Sequence, residues 1–166
     1  MFNFRKILIV LIVPIVFFIA ESFIKYFLIL NKIPRQGFYF FKGLLQISFF
    51  TNINIAFGLP LPQLVIIILT FLLLIALGFI WWLDLWRGNF LSLLGLSLII
   101  LGALRNLIDR LIFGYVIDYI NIFIWPVFNL ADAMIVVGII FYIIDKYFIK
   151  KDKLIAIIKA DDENVV

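Results

Sequence analysis

The chain has 166 residues, of which 66% are hydrophobic and only 14% are charged, and its mean hydropathy is +1.24. This composition is far too apolar for a soluble domain of this length and indicates a membrane protein. The absence of cysteine and histidine excludes thiol nucleophiles, Ser-His-Asp triads and metal sites built from His or Cys. The net charge of +4 is concentrated near the chain ends, which favours contact with anionic lipid over nucleic acid.

Four apolar stretches are long enough to cross a bilayer as helices of roughly 20 residues. The predicted spans are residues 7–30, 64–82, 90–108 and 128–149, with a tight turn at 84–89. Two basic residues precede the first span, as in a secretory signal peptide, but no small-residue cleavage site comes after it. The span is therefore predicted to be an uncleaved anchor. The predicted fold class is an all-α membrane protein with four transmembrane helices. Residues 1–150 would form a single domain and residues 151–166 a cytoplasmic tail.

Two longer connections separate these spans. Residues 31–63 place proline and glycine around aromatic and β-branched runs, which predicts a small extracytoplasmic β-rich platform. Residues 109–127 are predicted to form a second short outer loop of similar composition. Basic residues mark the opposite, cytoplasmic side of a four-span arrangement: Arg5, Lys6, Arg87, Lys146, Lys150, Lys151 and Lys153. Both termini are therefore predicted to be cytoplasmic.

Ionisable residues within or beside a span are functional candidates, since each costs roughly 2.5 to 3.5 kcal/mol to insert. There are six such residues: Glu21, Lys25, Asp109, Arg110, Asp118 and Asp132. Glu21 and Lys25 are one helical turn apart on one face, near the outer interface. Asn106 and Asp109 also share a face, and with Arg110 they are typical of an ion-paired helix terminus.

Asp118 lies in an alternating, strand-like stretch and is the only charged residue between Arg110 and Asp132. Asp132 lies in the first turn of the fourth span, where Asn129 is the predicted N-cap. If the second loop folds back, the two carboxylates can share one proton. One would then activate water while the other polarises a carbonyl. Paired acids also bind metals or neutralise arginines, so the two aspartates alone leave these alternatives open.

Five motifs resemble those of the bacterial lipoprotein signal peptidases (signal peptidase II) in order and spacing. They are ESFIK at 21–25, NINIAFG at 52–58, GALRNLIDR at 102–110, VIDYI at 116–120 and FNLAD at 128–132. The resemblance covers about residues 5–150 and implies a four-span aspartic peptidase whose catalytic pair is Asp118 and Asp132. It also implies roles in site support or substrate binding for seven residues: Asn129, Asn106, Asp109, Arg110, Asn52, Lys25 and Glu21.

The same resemblance implies the substrate, a prolipoprotein whose cysteine already carries a diacylglycerol and which is cut just before that cysteine. The site would lie near the outer face of the bacterial inner membrane, in contact with membrane lipids. No metal or other cofactor is expected, and the expected state is a monomer. Four residues depart from the family pattern, namely Glu21 for Asp, Arg105 for Gly, Asn54 for Gly and Ile55 for Ala. They leave the aspartates untouched but bear on substrate preference.

Two other hypotheses use the same residues. Ser22 and Lys25 are three apart on one helical face, as a Ser-Lys nucleophile pair requires. Alternatively, the chain is a small transporter or a lipoprotein-binding protein, in which buried acids relay protons or bind a cation. In the transporter Asp118→Asn would impair transport, and no peptide would be cut.

Overall fold

The computed structural model describes residues 4–31, 37–41, 44–54, 60–122 and 124–149. The elements follow in the order α1 (Phe4–Leu30), β1 (Phe38–Phe40), β2 (Leu45–Asn52), α2 (Gln63–Arg87), α3 (Phe90–Phe113), β3 (Val116–Ile122) and α4 (Leu130–Ile143). A π-helical segment, Ile144–Ile149, continues α4. The predicted tail at 151–166 and residues 55–58 of the second motif lie outside the described residues.

The protein is mostly helical, as predicted. Within the described residues, three helices are long and apolar enough to cross a membrane: Arg5–Leu30, Gln63–Arg87 and Phe90–Phe113. Their mean hydropathies are 2.9, 3.0 and 2.0. Helix α4 has 14 residues, and only together with the π-helical segment does it fill the predicted range of the fourth span.

Two predicted helix ends are wrong, and in both cases a buried aspartate explains the error. Helix α2 runs through Asp84 to Arg87, so the chain turns only at Gly88, which has a left-handed φ of 71°, and not from residue 84. Helix α3 continues past Asp109 to Phe113, so the second loop begins later than predicted. Both aspartates are completely buried and find partners inside the bundle, which is why neither one ends its helix.

Asp84 is held at the end of the bundle where α2 turns into α3. It accepts hydrogen bonds from Lys146 Nζ at 2.6 and 2.8 Å and from Ser92 Oγ at 2.5 Å. Arg87 Nη1 approaches it at 3.3 Å. The cluster ties the π-helical segment to the α2–α3 turn, and the positions of Arg87 and Lys146 agree with the predicted basic side.

Helix α3 is the centre of the bundle and contacts the other three helices. It packs closely on α4 because small residues face each other, as is common between membrane helices. A Cβ on Gly95 would lie 2.6 Å from Gly138 O, and one on Gly102 would lie 2.6 Å from Ala131 O. The backbone before Asp132 is therefore held directly against α3.

The two predicted outer loops form one antiparallel sheet in the order β1-β2-β3. Strand β2 pairs with β3 through Phe50 opposite Asp118 and Asn52 opposite Val116, and its register shifts between Ile47 and Phe50. The prediction of short strands is confirmed, whereas the pairing between the two loops was not predicted. This pairing brings Asn52 beside Asp118.

Candidate active site

Asp118 and Asp132 come together where the sheet meets the start of helix α4. Asp118 is carried by β3 and is 3% exposed, and Asp132 lies in the first turn of α4. Asn129 touches both, since its Nδ2 donates to Asp118 Oδ1 at 2.7 Å and its backbone N–H donates to Asp132 Oδ2 at 3.2 Å. One asparagine thus links two aspartates that are 14 residues apart in the sequence.

Asn129 is also the N-cap of α4, as predicted. Its Oδ1 accepts from the backbone N–H of Asp132 at 2.9 Å, and the reciprocal bond from the N-cap backbone to the Asp132 carboxylate completes a capping box. Such a box satisfies helix-start amides that have no partner within the helix. The same local geometry therefore starts the helix and orients one of the two carboxylates.

The Asp118 carboxylate has donors on both oxygens. Asn52 Nδ2 donates to Oδ2 at 2.9 Å, opposite the Asn129 bond to Oδ1. Burial, followed by the nearby charge of Asp132, raises the pKa of Asp118 to about 6, against the opposing effects of Asn52, Asn129 and Lys25. Asp118 therefore keeps a proton at pH values where an ordinary aspartate is ionised.

Lys25 connects helix α1 to this site through contacts with residues of helix α3. It is completely buried, and its Nζ contacts Glu21 Oε1 and Asp109 Oδ2, each at 2.7 Å, and Asn106 Oδ1 at 3.5 Å. Asn106 Nδ2 in turn donates to Asp132 Oδ1 at 2.8 Å. Glu21 and Lys25 lie on one helical face, as predicted, and form an ion pair. Lys25 reaches Asp132 through a single intervening asparagine.

Asp109 and Arg110 form separate contacts in spite of their adjacent positions. The other oxygen of Asp109 accepts from Arg105, one of the four residues that depart from the family pattern. Arg110 Nη2 instead donates to the Asn54 carbonyl at 3.1 Å. Arg110 Nε is buried, and within the part of the chain that the structure describes it has no hydrogen-bond partner.

The alternative Ser-Lys pair is not assembled. Ser22 Oγ donates to the Phe18 carbonyl at 2.8 Å, one turn earlier on the same helix. Lys25 is directed instead to Glu21, Asp109 and Asn106. The contacts that each side chain makes therefore favour the aspartates over this nucleophile pair.

Sequence reasoning missed Tyr119 entirely. Its hydroxyl donates to Glu21 Oε2 at 2.5 Å, joining β3 to α1. A tyrosine beside Asp118 in a strand of otherwise mainly apolar residues was the available signal, because a buried tyrosine hydroxyl needs a partner.

A family model described as signal peptidase (SPase) II matches residues 13–148 of the chain. Among relatives, the lipoprotein signal peptidase of Halothermothrix orenii is 35% identical over 130 residues, covering 78% of this chain and 88% of its own. That of Chlorobaculum parvum is 36% identical over 156 residues, covering 82% and 95%.

A solved structure shares the fold. It is a bacterial membrane enzyme determined by the in meso method, with a TM-score of 0.71 and 26% sequence identity. The match covers 84% of this chain and 92% of that one. Given the length of the family match and the coverage of both relatives, the chain belongs to the signal peptidase II family.

Proposed function

We propose that this chain is an aspartic endopeptidase that removes signal peptides from prolipoproteins carrying a diacylglycerol on cysteine, cutting just before that cysteine. The observation that carries the proposal is the bridge by Asn129 between Asp118 and Asp132 in a buried site. The relatives named as lipoprotein signal peptidases support the substrate class. The family match favours a peptidase over the transporter hypothesis.

The chemistry requires one proton shared between Asp118 and Asp132. In the one-proton state, the ionised carboxylate accepts a proton from water as the water attacks the scissile carbonyl. The neutral carboxyl donates a hydrogen bond to that carbonyl, as in other paired-carboxylate sites. The proton taken from water then passes to the leaving amine. Asn129 holds both groups in place, and two carboxylates suffice without a metal.

Arg110 is suited to bind the substrate backbone. Its Nε lacks a partner among the described residues, although Nη2 holds the Asn54 carbonyl. A buried donor without a partner is costly, so a peptide carbonyl or a tetrahedral oxyanion would satisfy it. Asn54 replaces a glycine of the family pattern, so this edge of the site is where we expect substrate preference to differ.

The membrane arrangement we propose has four spans, cytoplasmic termini and the aspartates near the outer face of the bacterial inner membrane. Its support is the basic end of the bundle, where α1 begins near Arg5 and where Lys146 and Arg87 meet Asp84. Asp118 and Asp132 lie at the other end. Water must reach the carboxylates for hydrolysis, and an interfacial site is the accessible one. The fourth span would be α4 with its π-helical continuation.

The outer sheet is proposed to contact lipid or the lipidated peptide. Large apolar side chains are exposed near the end of the sheet where Leu45 pairs with Ile122. Phe41 is 76% exposed and Ile124 is 87% exposed. Trp125 is exposed beside them. Apolar groups of this kind favour insertion at a membrane interface.

The test is cleavage by the purified full chain in detergent micelles. We expect a diacylglyceryl-modified prolipoprotein to be cut before its cysteine, whereas the same precursor without the lipid stays intact. Mass spectrometry of both fragments locates the cut. Binding of the lipidated precursor without any cleavage would contradict the peptidase and favour a lipoprotein-binding protein, while equal cleavage of both precursors would refute the lipid requirement.

Removing the Asn52 side chain tests the electrostatics of Asp118. Its amide stabilises the ionised carboxylate, so Asn52→Ala should raise the pKa of Asp118 further. The one-proton state then persists to higher pH, and the alkaline limb of the kcat/KM profile should move upward in pH. Asn121→Ala is the matched control, because Asn121 bonds Gln46 in the same sheet, away from the aspartates. A downward shift in Asn52→Ala, or equal shifts in both variants, would contradict the assignment.

A further inference from the structure

Tyr119 is enclosed at the point where strand β3 meets the start of helix α4. It is 3% exposed, and because successive strand residues face opposite sides, its ring points away from Asp118. Its hydroxyl donates to Glu21 Oε2 at 2.5 Å and accepts from the backbone N–H of Leu130 at 3.2 Å. One hydroxyl therefore joins helix α1 to helix α4.

The contact with Leu130 acts on the segment that carries Asp132. Leu130 is the first residue of α4, and its amide is one of the helix-start donors with no partner within the helix. The backbone N–H of Tyr119 also donates to the Phe128 carbonyl at 3.1 Å. Tyr119 thus holds the chain on both sides of Asn129, the residue that bridges the aspartates.

The direction of the hydroxyl bond is set by its surroundings. Burial, and then the negative charge of Glu21, raise the pKa of Tyr119. The hydroxyl therefore keeps its proton and donates a hydrogen bond to Glu21. The other oxygen of Glu21 contacts Lys25 Nζ at 2.7 Å, which fixes the acceptor. Glu21 is therefore held on both sides, by a hydrogen bond from Tyr119 to one oxygen and by an ion pair with Lys25 at the other. Buried polar networks of this kind favour a single geometry.

We propose that Tyr119 is a positioning residue for peptide hydrolysis, whose hydroxyl, anchored on Glu21, fixes the start of α4 and thereby the spacing between Asp118 and Asp132. The inference rests on the proposed aspartic mechanism. Tyr119 touches neither substrate nor the reacting carboxylates, and it acts through Leu130.

Two substitutions break this link from opposite sides. Tyr119→Phe removes only the hydroxyl, and Glu21→Asp keeps the charge beside Lys25 but withdraws the acceptor by one methylene. Each should lower kcat by about tenfold, on the order of one buried hydrogen bond, with KM within about twofold of wild type. The double variant should be no slower than either single one, because both changes remove the same connection.

The pH profile separates positioning from a loss of stability. Charged groups and donors face Asp118 from every neighbouring element: Lys25, Asn52, Arg110, Asn129 and Asp132. If α4 is released, the repulsion between the two aspartates weakens and the upper apparent pKa of the pair falls. The alkaline limb of kcat/KM should therefore move to lower pH in Tyr119→Phe, opposite to the shift expected for Asn52→Ala. A smaller folded fraction alone would leave the limb in place.

The experiment measures steady-state cleavage of diacylglyceryl-modified prolipoprotein across pH by the full chain in detergent. Tyr115→Phe is the matched control, since that ring stacks on Phe113 with centroids 6.0 Å apart, and it should match wild type. Wild-type kcat and an unmoved limb in Tyr119→Phe, alongside an inactive Asp118→Asn, would overturn the inference and leave the proposed function standing.

Amide exchange provides a readout that does not depend on cleavage. Hydrogen exchange at the Leu130 amide should be faster in Tyr119→Phe than in wild type, because its acceptor is gone. If wild type itself fails to cleave, the proposed function fails, and this exchange rate still decides whether the hydroxyl holds the start of α4. Equal exchange in the two proteins would overturn the positioning contact.

Discussion

Asp118→Asn and Asp132→Asn are each expected to lower the cleavage rate by about a hundredfold to ten-thousandfold, the range of acid–base catalysis by a positioned side chain. The amide has the size of the carboxylate but can neither accept a proton from water nor share one with its partner. Because the two groups act on the same water and carbonyl, the double variant should be about as slow as either single one. The measurement is single-turnover cleavage of the lipidated precursor at matched concentrations of folded protein.

The fold should survive both substitutions. An asparagine at 118 keeps one acceptor, Oδ1, for either Asn52 or Asn129, whereas its Nδ2 cannot accept the other bond. It carries no buried charge that needs compensation. Asp84→Asn is the matched control, a buried aspartate at the other end of the bundle, and its folded fraction should cleave like wild type. Near-normal cleavage by either Asp118→Asn or Asp132→Asn would exclude the paired-carboxylate mechanism.

Contacts between residues three or four apart are the part of the site that follows from helical spacing alone. Glu21 and Lys25 are one helical turn apart and do form an ion pair at 2.7 Å. Asn129 precedes Asp132 by three residues, the spacing of a capping box, and that box is present. Helical geometry alone places such side chains together, so periodicity and residue type are enough to predict the contact.

The contacts that were missed join residues far apart in the chain. Tyr119 bonds Glu21 across 98 residues, and Lys146 bonds Asp84 across 62. The register between β2 and β3 is likewise a property of the packed bundle and not of either loop. Periodicity reports which face of an element is apolar, but it does not specify which buried partner a polar group on that face will meet.

The helix ends illustrate the same limit. The sequence predicts that one span ends before Asp84 and another before Asp109, because a charge in a bilayer is costly. Each is instead compensated by cations from a neighbouring turn or helix, which are Lys146 and Arg87 for Asp84, and Lys25 and Arg105 for Asp109. An internal partner removes the reason for a charged residue to leave the helix.

Lys25→Met is expected to lower the free energy of unfolding by about 3 to 5 kcal/mol, the cost of removing one partner from a buried ion pair. Lys25 is the cation in contact with Glu21 Oε1 and lies equally close to Asp109. Without it, the ion pair that these two carboxylates keep within the described residues is the one between Asp109 and Arg105. Denaturant unfolding of the purified chain in detergent, followed by tryptophan fluorescence, measures the change.

A second substitution shows whether the uncompensated charge is the cause. Lys25→Met with Glu21→Gln removes one charge of each sign and leaves Asp109 paired with Arg105, so it should recover much of the lost stability. Lys146→Met places the same substitution on the partly buried pair with Asp84 at the opposite end, and it should reduce stability while its folded fraction cleaves normally. Full stability of Lys25→Met alone would contradict this account, because it would show that neither buried carboxylate depends on the lysine charge.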